Sequence, residues 1–236
     1  MLACVPTLRA QTCSPEGKFV YIDGQNEDGT TKYAEDTGDS FTGSAPVEAT
    51  FTANPSDYED YSARFEWLIY QTDDTANVLI HRFDEELHYT FNNSGSFTVE
   101  LRATFQNGED IVNYFSREEG TSISVTISES VLEMPNAFSP GDDDDLNRIY
   151  KAKPTHKSIV KFHATIFNRW GQKLYSWDDI NGGWDGKVNG RIVKNGVYFV
   201  NVNALGADGR KYHIRKDVNV LTKYTQSESE TSTATE

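Results

Sequence analysis

The apolar positions of this chain recur with a period of two, the spacing of strands with one buried face. Val47, Ala49 and Phe51 share one such face, and Phe65, Trp67 and Ile69 share another. Phe97, Val99, Leu101, Ala103 and Phe105 predict a long strand after the Ser94-Gly95-Ser96 turn, and Ile123, Val125 and Ile127 predict the next. Further on, Val160, Phe162, Ala164 and Ile166 alternate with Lys161, His163 and Thr165. Tyr198, Val200, Val202 and Ala204 lead through Ala207-Asp208-Gly209-Arg210 into Tyr212, Ile214, Val218 and Val220, a strong hairpin signal. Near the start, Phe19 and Tyr21 mark one strand, closed by the turn signals Asp23-Gly24 and Asp28-Gly29. The polar stretch from Thr30 to Gly43 reads as loop, with one short strand near Lys32-Tyr33.

The alternation breaks at Asn168. Asn and Gly tolerate positive φ, so Phe167-Asn168-Arg169-Trp170-Gly171-Gln172 predicts a hairpin returning through Lys173 to Tyr175. Trp170 at its tip has no partner in the local pattern, so its ring must pack elsewhere. Trp170 and Trp184 are expected to fill a sandwich core or cover its edge, because a buried ring removes more apolar surface from water. Trp177 is the candidate for stacking on a glycan.

Composition sharpens this picture. The chain has 236 residues and a net charge of −14, unevenly spread. Residues 1–132 hold 7 Lys/Arg against 23 Asp/Glu, whereas residues 133–223 hold 15 against 10. A step of that size marks a domain boundary. The acidic half argues against nucleic acid as a partner, and the basic half lacks a Lys/Arg stripe. No apolar run reaches the eighteen-odd residues of a membrane span. Cys4 and Cys13 are the two cysteines, too few for a disulfide framework, a metal site or a redox motif.

Residues 1–12 resemble the end of a signal peptide, with a plausible cut before Gln11, or else form a disordered N-terminus; a further alternative makes Cys4 a lipoprotein cysteine. Residues 13–43 supply the first strand and the polar loop. Residues 44–130 and 131–223 are expected to form two domains, and residues 224–236 a polar, disordered tail.

Four blocks in order carry a family resemblance: Asn136-Ala137-Phe138-Ser139-Pro140, Phe167 to Gln172, Trp184-Asp185-Gly186 and Gly196-Val197-Tyr198-Phe199. Together they resemble the gliding-motility-associated C-terminal domain on proteins exported by the type IX system of Bacteroidota. The resemblance covers about residues 133–221. It implies an Ig-like β-sandwich, export to the cell surface or medium, and no chemistry of its own. Ala45-Pro46, Phe65-Glu66-Trp67 and Tyr89-Thr90-Phe91 with Gly95 to Leu101 resemble the PKD family over about residues 44–129. That family usually has a Gly-Asp-Gly-type turn after its Trp strand; here Gln71-Thr72-Asp73-Asp74 stands in that place. Such domains are mostly spacers or interaction modules.

The remaining chemistry is sparse. Asp142, Asp143, Asp144 and Asp145 with Asn147 are the metal candidates, since Ca²⁺ takes many oxygens from flexible loops. The alternative is a hydrated turn after Pro140-Gly141. Gly38-Asp39-Ser40 is similar to an esterase nucleophile block, but neither a matching Asp-x-x-His motif nor a helical framework accompanies it. His81, His88, His156, His163 and His213 lack zinc-helix spacing. The expectation is therefore an all-β protein of two Ig-like sandwiches in series, exported, non-enzymatic and without an obligate cofactor. Its partners would be export machinery or other envelope proteins. A carbohydrate-binding adhesin module using exposed tryptophans is the alternative.

Overall fold

The computed structural model describes residues 11–26, 30–141 and 147–221, and every regular element among them is a β-strand. The chain divides into two compact units. The first comprises Met1–Leu132 with Thr155–Lys161 and Ala204–Lys211; the second comprises Glu133–Pro154, Phe162–Asn203 and Tyr212–Glu236.

The first unit is an Ig-like sandwich of a four-stranded and a six-stranded sheet. The strand Gly95–Asn107 organises the larger sheet. Along one edge it pairs antiparallel with Ser62–Gln71. Its other edge is shared, with Gly95 to Val99 pairing to Ile123–Ile127 and Arg102 to Asn107 pairing to Asp110–Phe115. Its alternation sends Phe97, Val99, Leu101, Ala103 and Phe105 inward, all at most 3 % exposed. Phe51 meets Trp67 and Phe91 at ring separations of 6.1 and 6.4 Å, and Phe19 stacks on Phe41 at 4.7 Å. Full burial of each such side chain stabilises the fold by roughly 1.5–3 kcal/mol. On the opposite face, Glu100 is also buried, but its carboxylate accepts hydrogen bonds from Tyr70 Oη at 3.0 Å and Arg102 Nε at 2.8 Å. A buried charge is tolerated when partnered in this way.

One expectation is corrected here. The stretch read as loop holds two strands, Thr31–Gly38 and Ser40–Gly43. The first pairs antiparallel with Glu16–Gln25 at the edge of the four-stranded sheet. An edge strand wetted on both faces needs no apolar alternation, so its residues gave no strand pattern. Ser40, from the esterase-like block, lies in a parallel ladder opposite Ser124. Cys13 is buried, and that burial, together with the Glu85 carboxylate, raises its thiol pKa to about 12, which keeps it protonated and unreactive.

The second sheet has five strands in the order Ala137–Phe138, Lys211–Val220, Gly196–Gly206, Ile159–Phe167 and Lys173–Trp177. Its inward residues include Phe162, Ala164, Ile166, Val200, Val202, Val218 and Val220, all buried. The Gly206–Arg210 turn, which belongs to the first unit, is held by Asp208. Its carboxylate accepts Ser130 N–H at 3.1 Å and Ser130 Oγ–H at 2.7 Å. Desolvation raises the Asp208 pKa, but these bonds and the Arg210 N–H more than offset it, so the net shift is downward.

Candidate functional site

The second unit is built around Trp184. Its ring is fully buried and packs on Phe138 at 5.4 Å and Tyr198 at 5.7 Å. The indole N–H donates to the Lys187 carbonyl at 3.0 Å, while Asp185 Oδ1 accepts the Lys187 N–H at 3.0 Å. Gly186 has φ +75°, and a Cβ there would lie 2.5 Å from Pro140 Cβ. Only glycine fits both the backbone and the space. Trp184 and Tyr150 also exchange two backbone hydrogen bonds at 2.9 Å. Tyr150 is itself fully buried; its ring packs tilted against Phe138 at 5.6 Å and its hydroxyl donates to the Pro135 carbonyl. Burial, reinforced by the Asp217 carboxylate, pushes that phenol far above its usual range. Two sequence blocks far apart, Asn136 to Pro140 and Trp184 to Gly186, thus form one aromatic centre.

The same segment is laced to the strand Lys211–Val220. Lys216 Nζ donates to the Met134 carbonyl at 2.9 Å and to Asn136 Oδ1, and Asn219 N–H donates to the Asn136 carbonyl at 2.9 Å. Glu133 is paired with Lys153 at 2.7 Å, and that hydrogen bond and charge hold its carboxyl below the usual range.

The Phe167–Lys173 hairpin has a different design. Asn168 Oδ1 accepts the N–H groups of both Trp170 and Gln172 at 3.0 Å, and Asn168 Nδ2 donates to Gln172 Oε1 at 3.1 Å. Gly171 at φ +78° closes the turn, and a register shift between Ile166 and Phe167 bends the strand into it. Trp170 is 75 % exposed, and the Arg169 guanidinium lies 4.0 Å from its ring centre. The aromatic at the tip is held outward by backbone hydrogen bonds rather than by a core.

Beside the tip is a groove of about 730 Å³, lined in part by Phe167, Arg169, Phe199, Asn201 and Arg215. Phe199 and Val197 lie on the outward face of their strand, at 43 % and 48 % exposure. Arg169 and Arg215 are exposed, and neither has a carboxylate partner among the described residues. Asp217 is the acidic member of the lining, and Lys216 is engaged by Met134 and Asn136. The arrangement offers apolar rings and guanidinium groups for binding. It contains no nucleophile–base pair.

The structure separates the three tryptophans named from the sequence. Trp184 fills the core as expected. Trp170 does not, because its hairpin projects it into solvent. Trp177, the glycan candidate, is corrected: it is only 7 % exposed, wedged between Phe162 at 6.0 Å and Tyr175 at 5.9 Å, with its indole N–H buried and unpartnered. A ring so enclosed has no face for a sugar. The metal candidates Asp142, Asp143, Asp144 and Asp145 lie outside the described residues, as do residues 1–10 of the signal-like start, with Cys4, and the polar tail. Asn147 is exposed, and its carbonyl accepts the Ser139 N–H at 2.7 Å. Among the described residues no His/Cys/Asp/Glu cluster is placed to hold a metal ion, and no helix is long and apolar enough to cross a membrane. His163 and His213 are exposed and bond to Asp178 and Asn203 respectively. Sequence reasoning missed Arg215 and Phe199 as site residues. Their outward positions in adjacent strands were the available signal.

Residues 132–216 match the family CHU_C, the type IX secretion signal domain, which indicates export to the cell surface or secretion. None of the curated proteins compared with it matches this chain. Among solved structures, the chain is similar to the Bacteroides ovatus mixed-linkage glucan utilization locus protein SGBP-B in complex with a mixed-linkage heptasaccharide. That match has 12% identity and a TM-score of 0.26, and covers 77% of this chain and 42% of that one. The dimeric latent PorU from Porphyromonas gingivalis matches at 12% identity and a TM-score of 0.26, covering 88% of this chain and 20% of that one. A tetra-tandem repeat from the extending region of a large adhesion protein matches at 15% identity and a TM-score of 0.28, covering 89% and 57%. Likeness this distant says nothing about what this chain binds.

Proposed function

We propose, from the premise that residues 132–216 form a type IX secretion signal domain, that this chain is a non-enzymatic surface protein carrying its own sorting module. The C-terminal sandwich is read by the export machinery and serves in sorting or attachment. The acidic N-terminal sandwich is a PKD-like spacer or interaction module. The observation that supports this reading most is the coincidence of the family match with the Trp184–Tyr150–Phe138 centre, which holds one domain's shape and presents no reactive group. The adhesin alternative is weakened by the burial of Trp177 and by the arginine lying over one face of Trp170.

The test is cell fractionation of the full chain and of a chain ending at Leu132. The truncated chain is expected to stay in the periplasm while the full chain reaches the surface or medium. Equal delivery of both would overturn the sorting role.

A further inference from the structure

We infer that the groove beside the Asn168 hairpin is the recognition face of the sorting domain, and that its occupant is an acidic, apolar-bearing protein segment of the export machinery. This rests on the sorting reading above and names the surface and the partner chemistry that reading leaves open.

Three observations converge on the groove. First, its apolar members are fixed on rigid elements rather than collapsed: Phe199 is 43 % exposed in a strand whose alternate residues Val200 and Val202 are buried. An apolar ring held in water by a sheet is available for docking at little conformational cost. Second, Arg169 and Arg215 flank those rings without carboxylate partners among the described residues, whereas Lys216 is already engaged by backbone and amide oxygens. Planar guanidinium groups beside aromatic rings suit a carboxylate that arrives with an apolar neighbour, by bidentate hydrogen bonding and cation–π contact. Third, Asn168 spends its side-chain oxygen on the Trp170 and Gln172 N–H groups, fixing the turn that carries Arg169 in the groove lining. The charge of the domain agrees, since residues 133–223 carry 15 Lys/Arg against 10 Asp/Glu. An acidic partner is steered to such a surface, and the approach weakens with salt.

The experiment compares surface fractions of the full chain, R169E/R215E, R169K/R215K and the chain ending at Leu132. Thermal unfolding shows whether each variant is folded, and Phe199→Ser carries the same test if the double charge reversal is misfolded. The expected result is a roughly tenfold fall in surface fraction for R169E/R215E and a smaller fall of about threefold for R169K/R215K, which keeps the charge but loses the planar bidentate donors. Parent-level delivery of folded R169E/R215E, while the truncated chain is retained, would overturn the groove and leave the sorting reading intact. Delivery of the truncated chain would overturn both. Light scattering on the purified full chain covers the remaining occupant: self-association lost in R169E/R215E would make the partner the acidic half of a second copy and overturn the assignment to export machinery.

Discussion

Two blocks of the second unit are made of nearly the same residue types and do opposite things. Trp184-Asp185-Gly186 and Asn168-Arg169-Trp170-Gly171 each set a tryptophan near a glycine at positive φ and use an Asn or Asp side chain to accept backbone N–H groups. In the first, the glycine sits against Pro140 and brings the tryptophan under Phe138 and Tyr198, where it is fully buried. In the second, a Cβ on Gly171 would meet nothing within 4 Å, and the tryptophan stands 75 % exposed. What separates framework from surface is therefore the presence of a distant chain segment on the glycine, not the tryptophan itself. Similar local turn chemistry serves both ends.

The contrast can be broken by substitution, starting with the largest effect. Trp184→Ala removes the centre of the domain and is expected to destabilise it by roughly 3–5 kcal/mol, measurable as a lowered urea midpoint. Gly186→Ala adds a methyl group 2.5 Å from Pro140 Cβ at φ +75°. It should cost roughly 2–4 kcal/mol from backbone strain and overpacking together, whereas Gly171→Ala should show only the backbone part. An equal loss in both would remove the distinction drawn here. Asn168→Ala deletes the acceptor of two N–H groups and should lower stability by about 1 kcal/mol, with faster amide exchange confined to the hairpin. Trp170→Ala should change stability by no more than about 0.5 kcal/mol, since its ring leaves no cavity behind.

The sequence made the strands with one wet face legible because alternation is imposed by the pleat: Phe65, Trp67 and Ile69, or Phe97 to Phe105, admit few other readings. The edge strand Thr31–Gly38 left no such trace, because both of its faces meet water along most of its length. The hairpin at Asn168 was readable from its turn residues, yet the fate of its tryptophan was not. Burial of Trp184 depends on Phe138, Pro140 and Tyr150, which pattern within a single strand cannot place beside it. The same limit applies to the groove. Arg169, Phe199 and Arg215 come from three strands or turns, and their proximity is a property of sheet order rather than of spacing.

The division between a buried framework and an exposed recognition face is tested most directly by the surface fraction of full-length Trp170→Ala, measured beside its thermal unfolding. The account predicts delivery reduced severalfold at an unchanged unfolding temperature, because the ring stands in solvent against Arg169 of the groove and contributes nothing to the core. Delivery equal to the parent, at the same unfolding temperature, would contradict it.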